Sequence, residues 1–477
     1  MEVSTLSNGT TRPKVALVTL GDSRREFYQS RMTIVTEETE IVVSSLSRDF
    51  EVYQSPIVYT DQEAEAVAQT IRNSGIQAVI LFLPIWGTPS LAFRIAQSTN
   101  RPVAVLGNKR RDSSSLVVLL AVAGMLDQCG KPCIRIAGDL REEPSYRLVA
   151  DYVHACTLAE EIRKSEFCMI GGRSIGIGTT VADPSQWERV FGTGFDHADQ
   201  FEIYYRAQAI PQERVTRHTA WVREQMRIEP GGRFTEESLE RQVRSYLALK
   251  DMVGERGYDF LGIKCQQEMS DHYALQCLAV ALLNNDRDAD GPKKPVPTSC
   301  ECDCDGAMTM RLLSLAAGGS PSCLVDIKYF SAQERAFTLA NCGSMAPWFT
   351  DPLGREPDYR RHVTMMQHSF GLAGGGALQM IAAEGDVTVA RLFRSNGQYV
   401  LGCFTGKAVS KPISELRKTT WCYPHLFVEA DIDYERFFQT MNSNHLHSVY
   451  GNHLEVLRLF CDMTGIRFIS YNQNGRS

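Results

Sequence analysis

The sequence predicts an α/β protein: two Rossmann-like parallel-sheet domains followed by a C-terminal antiparallel, β-rich domain of the small-barrel kind. Three observations predict it. Short, wholly apolar runs such as 14–20 and 78–83 alternate with helix-like stretches through the first two thirds, the pattern of parallel strands covered on both faces. Beyond Asn341-Cys342-Gly343-Ser344 the texture changes to short alternating strands rich in glycine, which argues for antiparallel pairing. At 477 residues the chain also exceeds one ordinary core. The expected domains are 1–165, 166–345 and 346–477.

Taken in order, the first domain opens with an apolar strand at 14–20, closed by Gly21-Asp22, and continues with a helix through 31–46. A strand near 51–58, a helix over 61–73 and a strand at 78–83 follow, the last broken by Pro84-Ile85-Trp86-Gly87. Strands at 103–106 and 133–136 complete it. The second domain starts with a strand at 167–170 that runs into clustered glycines, Gly171, Gly172, Gly176 and Gly178. These lack the G-x-G-x-x-G order, so turn glycines are the preferred reading and a nicotinamide-dependent oxidoreductase the alternative. The span 212–258 is helical by period, with Gly231-Gly232 as a break. A strand at 258–264, an apolar helix at 273–284 and a proline-bearing loop at 285–297 come next.

An extended run at 296–300, a helix at 308–315 and an apolar strand at 323–325 then read as a strand–helix–strand crossover. Parallel neighbours present their carboxyl ends on one edge, so Glu301 and Asp326 are expected to meet there. Two carboxylates on one edge form a seat for a hard divalent cation, although acidic residues at strand ends also serve as helix caps or solvated loop residues. The third domain shows strands near 373–377, 387–393 and 399–404, a helix at 453–463 and a strand at 466–469. Its His445 has two readings, a metal ligand or a satisfied polar histidine.

Composition excludes some functions. Hydrophobic residues make up 43% and charged residues 22%, as in globular proteins. A net charge of −6 and a pI near 6.0 argue against a sequence-independent grip on nucleic acid, which needs a basic face. No apolar run approaches the ~18 residues of a membrane span, and the N-terminus lacks a signal-peptide core, so a cytoplasmic protein without a membrane partner is expected. Fourteen cysteines then read as reduced thiols. Cys300, Cys302 and Cys304 could suggest a soft-metal site, but no Cys-x-x-Cys completes four ligands, and packing thiols are the adopted reading.

The phrases Glu301-Cys302-Asp303-Cys304-Asp305-Gly306-Ala307-Met308 and Leu324-Val325-Asp326-Ile327 resemble the two acidic metal-ligand motifs of the L-fucose isomerase family, relatives of the L-arabinose isomerases. Asn444-His445, with Gly451 six positions on, resembles the motif of that family's metal histidine. Gly21-Asp22-Ser23-Arg24-Arg25 and Pro84-Ile85-Trp86 resemble its arginine loop and its Trp-bearing loop. Gly262-Ile263-Lys264-Cys265-Gln266 resembles its glutamine-containing substrate loop, with a lysine in place of one glutamine.

The resemblance implies an aldose–ketose isomerase working through a cis-enediol on a fucose-like or arabinose-like sugar. It implies Mn²⁺, or alternatively Mg²⁺ or Co²⁺, held by Glu301, Asp326 and His445, with Glu301 and Asp326 also the acid/base pair. Arg24, Trp86, Lys264, Gln266, Ser344, Trp421 and Asn444 would bind the substrate, the first two in trans. The family's shared site implies a homo-oligomer, trimer-based or hexameric, or a tetramer. Lys264 brings in an anionic hexose such as 6-deoxy-6-sulfo glucose (sulfoquinovose) as an alternative substrate, unless it simply pairs with Glu268. A non-catalytic sugar-binding sensor is the alternative of another class.

Overall fold

The structure, a computed structural model, describes residues 12–352, 354, 357–419 and 423–473. The chain divides into two compact units, Glu2–Glu160 and Glu161–Ser477. The first holds five parallel strands, β1 (Lys14–Thr19), β2 (Glu51–Gln54), β3 (Ala78–Leu83), β4 (Val103–Gly107) and β5 (Cys133–Ala137), in the order β2-β1-β3-β4-β5. β3 and β4 are buried at every position, as strands sandwiched between helix layers must be. Doubly wound sheets of this order take ligands beyond the carboxyl ends of β1 and β3, where the winding direction reverses. The loops after those two strands carry Arg24 and Trp86, and they are tied together by bonds from Thr88 N–H to the Gly21 carbonyl (2.9 Å) and from Ser23 N–H to Thr88 Oγ1 (3.1 Å).

The second unit contains another parallel sheet, β6 (Glu166–Ile170), β7 (Gly194–Ala198), β9 (Phe260–Ile263) and β12 (Thr298–Cys300), in the order β12-β9-β6-β7. Trp187, wholly buried, packs against Phe167, Phe195 and Phe260 and anchors one face of it. A short hairpin, β10 (Arg287–Asp288) with β11 (Gly291–Pro292), and a three-stranded sheet of β8 (Arg227–Glu229), β15 (Thr364–Gln367) and β16 (Gly376–Gln379) flank it in sequence. The long helix Glu236–Arg256 starts with a Thr235/Ser238 capping box and ends at Gly257 with φ of +71°, the left-handed stop that glycine favours.

The remaining strands are β13 (Cys323–Ser331), β14 (Ala336–Ala340), β17 (Gly385–Ser395), β18 (Gln398–Ala408), β19 (His425–Glu429), β20 (His445–Tyr450) and β21 (Arg467–Ser470). They follow the order β17-β20-β13-β14-β19-β18-β21, and β17 also pairs with β18 along its whole length. The first six therefore close into an antiparallel ring, with β21 added in parallel to β18. Closure gives each of the six strands two neighbours, which shortens the open edges. Val325, Phe337, Leu339, Val389, Phe404, Leu426, Val428 and Leu446 belong to the continuous core that fills it.

The ring corrects the expected crossover. β13 is not a parallel neighbour of β12 but an antiparallel strand between β14 and β20, and Asp326 lies within it rather than at its end. His445 is the first residue of β20. Residues 166–345 and 346–477 both fall in the second unit, β13 and β14 of the former completing a ring whose other strands come from the latter.

Phe404 fills the ring beside Phe337 and Phe437. Phe404→Ala should cost about 3–5 kcal/mol of stability, read as an earlier midpoint in urea denaturation.

Candidate functional site

Sheet alternation decides which side chains face the site. Along β20, Leu446 joins the core, so His445 and His447 lie on the opposite face, where the helix Cys304–Ala316 packs against β20 and β17. His445 is the register partner of Asp326 on β13. Glu301 arrives from the other sheet, in the turn between β12 and that helix.

The turn is unusual in its backbone. Glu301 and Cys302 both sit in the left-handed region, at φ of +59° and +51°. For non-glycine residues such conformations cost of order 1–3 kcal/mol each and persist only where surroundings impose them. Here Cys302 N–H donates to the Ile263 carbonyl at 3.0 Å and its thiol to the Gly262 carbonyl at 3.3 Å. Asp303 then caps the helix, its Oδ1 accepting from Gly306 N–H at 2.8 Å. A side chain at 306 has no room, since a Cβ there would stand 2.6 Å from the Asp303 carboxyl and 2.7 Å from His447 Nε2.

Two carboxylates converge on one nitrogen. His445 Nε2 lies 3.1 Å from Glu301 Oε2 and 3.7 Å from Asp326 Oδ1. On its far side Nδ1–H donates to Asp303 Oδ2 at 2.7 Å. Asp303 has no exposure and is gripped by the equally buried Arg391, with bonds of 2.5 and 3.0 Å. Burial works to raise the Asp303 pKa, but Arg391 and His445 outweigh it and hold the carboxyl well below the usual range. An ionised Asp303 only accepts hydrogen bonds, so Nδ1 must be the donor and Nε2 is directed at Glu301 and Asp326.

Electrostatics follow this layout. Burial opposes charge on His445, yet the carboxylates of Asp303, Glu301 and Asp326 raise it to about 10. Burial, opposed by His445 and reinforced by Glu301, pushes Asp326 up to about 6. Lys328, two residues along β13, lies in the same field; burial lowers its pKa while Asp326 and Glu301 act to raise it. His447 is kept neutral by burial and by Arg391. His453 is turned away, its Nε2 against the Tyr450 carbonyl at 3.0 Å.

The donor set fits a divalent cation. One imidazole nitrogen faces two carboxylates, donor types that divalent cations take, and the carboxylate behind Nδ1 is the arrangement that orients ligating histidines. Glu301 and Asp326 side chains retain 12% and 18% exposure, so a small ligand has access.

The other sequence-derived residues fall as follows. Asn444 Nδ2 donates to Asp326 Oδ1 at 3.1 Å. Ser344 is buried in the loop after β14, its N–H bonded to Asn341 Oδ1 at 2.9 Å. Lys264 and Gln266 follow β9, whose Ile263 is the register partner of Cys300, and so share the carboxyl edge with Glu301. Lys264 Nζ pairs with Glu268 at 2.6 Å, the plain salt bridge. The Gln266 carbonyl accepts from Ser174 Oγ at 3.2 Å. Arg24 and Trp86 belong to the first unit, where Arg24 forks onto buried Asp22 and Trp86 packs on the sheet core. Trp421 lies outside the described residues. Sequence reasoning gave no role to Asp303, Arg391 or Lys328. Asp303 and Lys328 stand two residues from named ligands, but Arg391, inside an apolar strand run, carried no local signal.

A parallel α/β sheet joined to a closed antiparallel ring, with a carboxylate-and-imidazole cluster where they meet, defines the class: an α/β protein with a β-ring C-terminal part. The chain belongs to the L-fucose isomerase family. Residues 12–159 match the family's first N-terminal domain and residues 339–472 its C-terminal domain, together more than half the chain. Glu301 and Asp326 lie between the two matches, His445 within the second. The L-fucose isomerase of Streptococcus pneumoniae (strain Taiwan19F-14) is 23% identical over 321 residues, 59% of this chain and 54% of that protein. That of strain CGSP14 is 23% identical over 307 residues, 57% and 52%. The chain thus spans about half the length of the curated relatives it matches. A solved periplasmic solute binding protein of an ABC transporter from Actinobacillus succinogenes 130z, with bound D-allose, aligns at 12% identity over 57% of this chain and 82% of that one, with a TM-score of 0.16, too low to bear on the fold. Among the described residues no helix is long and apolar enough to cross a membrane.

Removing Arg391 would leave Asp303 charged and buried without its two-point partner, held only by His445 and the Gly306 N–H. Arg391→Met should cost about 3–5 kcal/mol by chemical denaturation. Asp303→Asn should instead weaken divalent-metal affinity about 10–100-fold, measured by Mn²⁺ titration calorimetry.

Proposed function

We propose that this protein is a divalent-metal-dependent aldose–ketose isomerase acting on a fucose-like or arabinose-like sugar. The observation that supports it best is the approach of Glu301 and Asp326 to His445 Nε2, with Nδ1 held by Asp303. Glu301, Asp326 and His445 would hold the cation, Mn²⁺ first among candidates, with Mg²⁺ and Co²⁺ as alternatives. When bound, it supplies Lewis-acid stabilisation of the charge that develops as a proton leaves carbon next to a carbonyl.

The chain's own residues do the proton work. Isomerisation moves a proton between adjacent carbons through a cis-enediol, which requires a base that takes it and an acid that returns it. Asp326, with its pKa raised to about 6, is poised near neutrality for this exchange, and Glu301 is the other carboxylate within reach. Asn444 orients Asp326 through its 3.1 Å bond. Ser344, Gln266, Asn444 and Trp421 are proposed to meet sugar hydroxyls, and Lys264 to flank them. Since Lys264 is already paired with Glu268, the geometry favours a neutral sugar over a sulfonated one.

Arg24 and Trp86 are proposed to serve a neighbouring subunit of a homo-oligomer; their place at the carboxyl ends of β1 and β3 supports a ligand-facing role. The cytoplasm is the proposed compartment, supported by the many buried cysteines among the described residues.

Incubating the purified protein with aldoses and Mn²⁺ and assaying ketose formation tests the proposal. Activity on L-fucose or arabinose should vanish with chelator and return with Mn²⁺; turnover that survives chelation would refute it. Glu301→Gln and Asp326→Asn should each lower kcat by at least about 10²–10⁴-fold while leaving the circular dichroism spectrum unchanged.

A further inference from the structure

We propose that Cys277, Cys300, Cys342 and His368 form a second, soft-metal site that takes Zn²⁺ or a similarly thiophilic divalent cation. The residues come from four separate segments: the first turn of the helix Cys277–Asn284, the end of β12, the loop after β14 and the residue following β15. All four are buried, none more than 7% exposed. Cys277 Sγ, Cys342 Sγ and one ring nitrogen of His368 lie within 4.8 Å of one another, and Cys300 Sγ is 3.9 Å from Cys342 Sγ.

Three thiols and an imidazole are a donor set of structural zinc, and Zn–S bonds of about 2.3 Å in a tetrahedron place sulfurs about 3.8 Å apart. The spacing of Cys300 and Cys342 matches that value. His368 is also held as ligating histidines are: Nε2 is bonded to the Cys342 carbonyl at 2.7 Å, and the ring stacks on Tyr423 with centroids 4.9 Å apart. Nδ1 accepts a bond of 3.3 Å from Phe370 N–H, which marks it as the unprotonated nitrogen. Cation binding displaces the thiol protons to solvent, with no oxidant or reductant involved.

Two comparisons sharpen the choice. The group His218, Asp288 and Asp290 also gathers ligand atoms within 4.8 Å, but Lys250 already pairs with both aspartates at 2.5 and 2.7 Å. Cys302 and Cys304 do not join the thiol site; their sulfurs turn to the Gly262 and Cys302 carbonyls. The soft site is independent of the sugar chemistry, yet it touches it mechanically. Cys300 is peptide-bonded to Glu301, and Cys342 precedes Ser344 by two residues, so an ion here would fix both loops.

The metal-stripped, reduced full chain loaded with Co²⁺ should show a thiolate-to-cobalt charge-transfer band with intense tetrahedral visible bands, abolished by Zn²⁺ and, in Glu301→Gln, saturating at one ion per chain. Cys342→Ser and Cys277→Ser should each remove the charge-transfer band. Glu301→Gln should keep it while losing Mn²⁺ binding, which separates this site from the carboxylate seat. Absence of the band in the unmutated chain would overturn the proposal. So would its persistence in either folded serine variant, or isolation of the chain with a Cys300–Cys342 disulfide in place of metal.

Discussion

Asp303 is the residue on which the site depends. It is a carboxylate with no exposed surface, and it survives as an anion because Arg391 forks onto it and His445 donates to it. The same side chain starts the helix Cys304–Ala316 and fixes the tautomer of His445. Helix start, imidazole orientation and charge balance are thus one arrangement rather than three. A buried ion pair is weak evidence for net stability; its use here is to leave one imidazole nitrogen, and only that one, directed at Glu301 and Asp326.

Much of the fold was legible from residues alone because parallel strands carry a strong signal. The run 78–83 is apolar at every position, and β3 is buried at every position. The helix expected at 61–73 has those bounds, since Thr60 and Glu63 form a reciprocal cap that a sequence advertises. What failed was pairing. Cys323-Leu324-Val325 looks like a buried strand, and it is one, but nothing local says whether its neighbour is β12 or β20. Only closure of the ring, through contacts more than a hundred residues apart, decides that. The acidic pair was therefore expected on the wrong architecture: Glu301 and Asp326 come from different sheets.

For the candidate site, residues with a motif around them were found and residues without one were not. Arg391 sits within Val389-Ala390-Arg391-Leu392-Phe393, where its charge reads as an outward-facing interruption, yet it has no exposure. Cys277, Cys342 and His368 are each unremarkable in their own stretch and gain meaning only when brought together. The family matches show the same limit from another side, since they cover the first unit and four of the six ring strands but leave a gap over the turn that delivers Glu301 and over β13, which carries Asp326.

The ring has an inner and an outer surface that alternate along every strand, and β13 and β20 place their chemistry on the outer one while apolar neighbours fill the inner. Leu446 and His445 are adjacent in the chain but answer to different demands. Interior packing can therefore drift through volume-conserving exchanges without disturbing the ligands, and the ligand face can be retuned without reopening the core. Such a layout lets thermal robustness and substrate preference evolve along separate paths in one strand.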